Sequence, residues 1–154
     1  MIKTIIGMVF GILFSIFTAL LFMLIGQFVA GGVTSFWGES WLYFAVIVPF
    51  TITFTVLGGY FHSKKGMTNK KLWILSLIST FFVTLYSGTI GAVTGEYVVR
   101  VLIRGGEYHW QMLVEDIFLW GSIYAFILLP LTIPFARLII GLFYKFIIKF
   151  TFST

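Results

Sequence analysis

The sequence predicts an all-α integral membrane protein, a single domain of four transmembrane helices packed up-down-up-down with both termini in the cytoplasm. Three observations carry this. Of the 154 residues, 60% are hydrophobic and 10% charged, whereas a soluble domain carries about 25% charged residues and one this short could not bury so much apolar surface. Four stretches reach the roughly 20 apolar residues that a helix needs to cross hydrocarbon: 4–30, 41–61, 72–95 and 117–136, none with a charge inside. Finally, the charges divide by side. Lys3, Lys64, Lys65, Lys70, Lys71, Arg137, Lys145 and Lys149 fall at one end of the spans, and Glu39, Glu96, Glu107, Glu115 and Asp116 at the other, joined only by Arg100 and Arg104. Basic loops stay in the cytoplasm, so the expected location is a bacterial inner membrane, N-in and C-in. The net charge of +5 is then an orientation signal rather than a nucleic-acid footprint.

Helices are the only way for four segments to satisfy their backbones in lipid, because four strands cannot close a barrel. Span one follows Lys3 but is too long for a secretory signal and lacks a small-residue cleavage site; fully helical, it is about 40 Å long. It carries Gly7, Gly11 and Ser15 at four-residue steps. Span two contains "VPFTITFTV", where Pro49 frees a carbonyl one turn back and the hydroxyls of Thr51, Thr53 and Thr55 are placed to satisfy freed carbonyls or, as the alternative, to line a polar path. Span three carries Ser76, Thr80, Thr84, Gly88 and Ala92 in a second four-residue row, reinforced by Gly91 and Gly95. Small residues let membrane helices approach closely, so both rows predict packing seams, within the chain or against a partner. Trp37, Trp41, Trp73, Trp110 and Trp120 flank the spans, as amphipathic rings at headgroup depth do.

Past its apolar run, span three continues through Glu96, Arg100 and Arg104 to Gly105 and Gly106. Glu96 and Arg100 are spaced for a helical ion pair, and the glycines for helix termination. The segment is expected to project above the bilayer, with its arginines facing the chain's own acids, Glu115 and Asp116 included, or an anionic ligand or partner. In "EYHWQMLVEDI", Trp110, Leu113, Val114 and Ile117 share a helical face, predicting a short interfacial helix before span four. Span four holds Pro130 and Pro134. Beyond Arg137, the segment 138–152 is apolar with Lys145 and Lys149 on one face; it reads as a basic amphipathic helix on the membrane surface, or as a continuation of span four whose lysines snorkel.

Chemistry finds little to stand on. With no cysteine, thiol catalysis and cysteine-ligated metals are excluded. His62 and His109 fall at opposite ends by the charge division and cannot share a metal or a haem. No G-x-S-x-G, H-E-x-x-H or phosphate-binding glycine motif occurs, and no ionisable residue interrupts a span as in proton relays and coupled carriers. Gln27 and His62 read as interfacial. The expectation is a non-enzyme without cofactor or metal, whose partners are the lipid bilayer and other membrane subunits or copies of itself. The leading function is an accessory or scaffolding subunit of a membrane assembly such as a transport or secretion complex. The alternatives are a small oligomeric transporter or channel with a hydroxyl-lined path, and a membrane immunity or exclusion protein.

Overall fold

The computed structural model of the chain describes residues 2–29, 40–63, 66–107 and 110–152. Ala30, Trp37, Glu39, Lys64, Lys65 and His109 lie outside them, as do the side chains of Lys3, Leu113 and Asp116. Among the described residues there are four helices and no strand: α1 (Ile2–Val29), α2 (Trp41–Ser63), α3 (Asn69–Ile103) and α4 (Trp110–Phe152). Each contains a stretch long and apolar enough to cross a membrane, the architecture of a multi-pass helical membrane protein. The exposed surface is crowded with large apolar side chains such as Leu13, Ile78, Ile127 and Leu131, as lipid-facing helices require.

The main seams join α1 to α2 and α3 to α4, and α2 also touches α3 and α4. On α1, Gly7 lies over the Phe54 carbonyl; a Cβ on Gly11 would come within 2.8 Å of the Phe50 carbonyl oxygen and the Thr51 Cα. Ser15 ends the row fully buried, its hydroxyl donating to the Ile12 carbonyl at 2.7 Å. Positions rise along α1 as they fall along α2, so the two pack antiparallel.

Thr68 caps α3, its hydroxyl oxygen accepting from the Lys71 N–H at 3.4 Å. This starts the helix at Asn69, a turn before its apolar run. From there α3 runs to Ile103, but not as one regular helix. Ser87–Gly91 and Val98–Ile103 are π-helical turns, each of which takes in extra residue length and turns the helix face beyond it. Gly88 meets Gly121 of α4, Gly91 lies over the Ala45 carbonyl of α2, and a Cβ on Gly95 would come within 2.5 Å of the Trp41 carbonyl oxygen. The predicted row therefore divides between two neighbours. Ala45 is the residue whose carbonyl Pro49 deprives of its helical N–H, and it is the backbone of Gly91 that packs on it. Thr51 and Thr53, expected to repair that break, have hydroxyls with no hydrogen-bond partner; their helix positions turn them elsewhere.

α4 differs from the expected interfacial helix and, over the tail, takes the second of the two forms the sequence left open, a continuation of span four. It is continuous from Trp110 to Phe152, with neither a separate interfacial helix before span four nor a separate surface segment over 138–152. Ile140, Phe143 and Ile147 are at most 2% exposed and share a core with Phe54, Leu57 and Phe61 of α2 and Leu72 of α3. The Tyr144 hydroxyl also accepts from the Met67 N–H at 2.9 Å, tying the tail to the α2–α3 loop. An apolar stripe that could lie on lipid lies on protein instead, while Lys145 and Lys149 stay exposed on the other side. Pro130 and Pro134 sit inside the helix without ending it.

Candidate functional site

A cavity of about 460 Å³ lies between the helix pairs. Successive turns of α1 (Phe14, Thr18, Phe22) face successive turns of α4 (Tyr124, Leu128, Phe135) across it. Ala45 and Phe50 of α2 and Val83 of α3 form its back. Phe54, on its wall, also belongs to a ring cluster: Phe10 and Phe143 have centroids 4.7 Å apart, Phe10 and Phe54 4.9 Å, and Phe54 and Phe143 5.1 Å. The space is about three times the ~150 Å³ cavity that admits a benzene and within the roughly 300–1,000 Å³ typical of ligand pockets.

Its walls are carbon even where the sequence supplies oxygen. Thr18, Thr84 and Thr132 donate their hydroxyls to the carbonyls of Phe14, Thr80 and Leu128, four residues back, at 2.7, 2.8 and 2.8 Å. Thr53, Thr80 and Ser87 line the cavity too, but their oxygens are buried and have no hydrogen-bond partner among the described residues. Each unpaired hydroxyl costs about 1–3 kcal/mol. No Asp, Glu, Lys, Arg or His is among the lining residues. An ion or polar solute entering here would give up its hydration and meet only scattered hydroxyl and indole groups, Ser79 and Tyr124 among them, and no charge; a hydrocarbon group loses nothing.

The small residues singled out in the sequence divide by position. Gly7, Gly11 and Ser15 lie in the α1–α2 seam; Gly91 and Gly95 lie against α2; Gly88 and Ala92 border the cavity as well as the seams. Ser76 is fully buried with its hydroxyl on the Leu72 carbonyl at 2.8 Å.

At the acidic end, the Arg100 Nε is 3.5 Å from a Glu96 carboxylate oxygen, and both side chains are partly exposed. Such a pair contributes about 0.2–1 kcal/mol. Arg104 is exposed and makes no ion pair with a described residue. Gly105 (φ +66°) ends the helix, its N–H donating to the Val101 carbonyl at 3.0 Å and that of Gly106 to the Arg100 carbonyl at 2.9 Å. The projecting turns of α3 lean on the start of α4 through Tyr97 and Trp110, ring centroids 5.5 Å apart.

No known protein family, characterised protein or solved structure matches this chain. The site must therefore be read from its own geometry. Among the described residues no three His, Asp or Glu side chains gather as metal ligands would. What the arrangement offers is shape and apolar surface. Sequence reasoning missed the cavity because no residue type marks it: Phe, Ala and Leu that line a void read the same as those that fill one.

Proposed function

We propose that this chain is a non-enzymatic accessory subunit of a membrane assembly, a four-span scaffold that receives an apolar element of a partner subunit in the cavity between α1 and α4. The carbon-walled cavity is the observation that carries this reading. The glycines of both rows lie against the chain's own backbone, so a partner would meet the bundle where its helices stand apart rather than at these close contacts. The withdrawn hydroxyls favour this reading over a hydroxyl-lined path.

Ala136, partly exposed and on the cavity wall, provides the test. Ala136→Trp should reach into the space, leave helix content near wild type, and release the stoichiometric partner that crosslinking and mass spectrometry recover from native membranes. Recovery of a lone wild-type chain, or a partner retained by a folded Ala136→Trp protein, would sink the proposal.

The charge division supports an inner-membrane placement with both termini cytoplasmic. A reporter that is active only in the periplasm, fused after Thr154, should be silent, and a control fusion at the α3–α4 connection, before Trp110, active. The reverse pattern would invert the orientation.

A further inference from the structure

Arg137 is held unlike any other described cation of the chain. One turn beyond Pro134, its Nη2 donates to the Asn69 side-chain carbonyl at 2.6 Å, and its guanidinium carbon lies 5.9 Å from the centroid of the Trp73 ring. One turn further on is Gly141, where a Cβ would come within 2.5 Å of Nη1. The missing side chain therefore makes room for the guanidinium. Its Nε is buried without a partner. Neutral groups thus surround the guanidinium: an amide oxygen accepts from it and a ring lies beside it. Yet among the described residues no carboxylate pairs with it. Glu115 lies 22 residues back along the same helix, about 33 Å away, and Glu96 and Glu107 belong to the same far end. Nη1 makes no hydrogen bond to a described residue.

The surroundings add positive charge. Lys70 and Lys71 follow Asn69 in the first turn of α3, and Lys145 lies two turns beyond Arg137 on α4; all three are exposed. Trp73 marks the depth as the headgroup region. A guanidinium presents paired N–H groups that match phosphate oxygens. A basic pocket between membrane helices, edged by lysines, is the setting in which lipid headgroups are held.

We propose that the seam between the start of α3 and the Arg137–Gly141 turn of α4 binds the phosphodiester of an anionic phospholipid, with Arg137 as the contact and Lys70 and Lys71 as the outer attracting charges. The site stands apart from the cavity and does not depend on the partner reading. The test is native mass spectrometry of the full chain in detergent, titrated separately with dioleoylphosphatidylglycerol, dioleoylphosphatidylcholine and inorganic phosphate. Phosphatidylglycerol should bind preferentially, and Arg137→Gln should weaken it about five- to tenfold. Arg137→Lys should fall between the two, while Arg104→Gln, at the other end of the molecule, should bind as wild type. If Arg137→Gln does not fold, Asn69→Ala takes its place, keeping the charge but removing the amide that accepts from it, with a smaller loss expected. Unchanged phosphatidylglycerol binding in a folded variant at Arg137 or Asn69, or an equal loss in Arg104→Gln, overturns the site. Inorganic phosphate binding as tightly as phosphatidylglycerol overturns the lipid source.

Discussion

Gly121→Leu is expected to lower the stability of the bundle by about 3 kcal/mol, the upper part of the range for overpacking. At this crossing α3 and α4 meet backbone to backbone: a Cβ on Gly121 would overlap the Gly88 carbonyl, and one on Gly88 would come within 2.9 Å of the Gly121 carbonyl oxygen. A clash with a side chain can be relieved by a rotamer change, but one with a helix backbone can be relieved only by moving the helix. Gly88→Leu should therefore cost about as much. The double variant should cost well below the sum, since one separation relieves both. Unfolding in mixed micelles, followed by circular dichroism, measures all three. A Gly121→Leu protein as stable as wild type would mean that these backbones do not touch.

Phe143→Ala is the second large effect, at about 3 kcal/mol. Its ring is 1% exposed and packs between Phe10, Phe54 and Phe61, with centroids 4.7, 5.1 and 6.2 Å away. Lipid tails are as apolar as the core, so little of the loss is transfer energy. It comes from contacts that a truncated side chain no longer makes and a hole its neighbours cannot close. Leu142, the preceding residue, is 56% exposed, and Leu142→Ala should stay within about 0.5 kcal/mol. The pair separates the two readings of the C-terminal segment. A tail lying on the membrane surface would leave Phe143→Ala as mild as Leu142→Ala.

Much of the helical layout was legible because lipid imposes it. An uncharged run of about 20 residues has few structural options, so the four segments could be located with little error at their starts. Gly7, Gly11, Gly91 and Gly95 marked close approach for a similar reason, since nothing larger fits where two backbones meet. The readings left open share a cause as well. Lys145 and Lys149 suit the polar face of a surface helix, but a long lysine stem reaches water from the flank of a buried helix equally well. The stripe Ile140, Phe143, Ile147 does not say whether it packs on lipid or protein. A hydroxyl-lined path stays open as an alternative because sequence gives the residue but not its χ1 angle, and that angle decides whether a cavity meets oxygen or methyl. Arg137 was read only as an orienting charge; its distinction lies in Asn69 and Trp73, nearly seventy residues away in sequence.

The π turns make the residue count inside α3 matter in a way that composition does not reveal. If one residue were removed from Ser87–Gly91, the wide turn would close into an ordinary one and absorb the loss, because about five residues of the wide turn cover the same rotation as about four of an α-helix. Gly95 would keep its place on Trp41 and Glu96 its pairing with Arg100. The same deletion in the regular turns before Tyr86 would rotate everything beyond it by about 100° and swing Gly95 off its neighbour. Inheritance along this helix therefore acts on spacing as much as on letters: a lost codon is tolerated where the helix is wide and redirects the whole outer end of the molecule where it is regular.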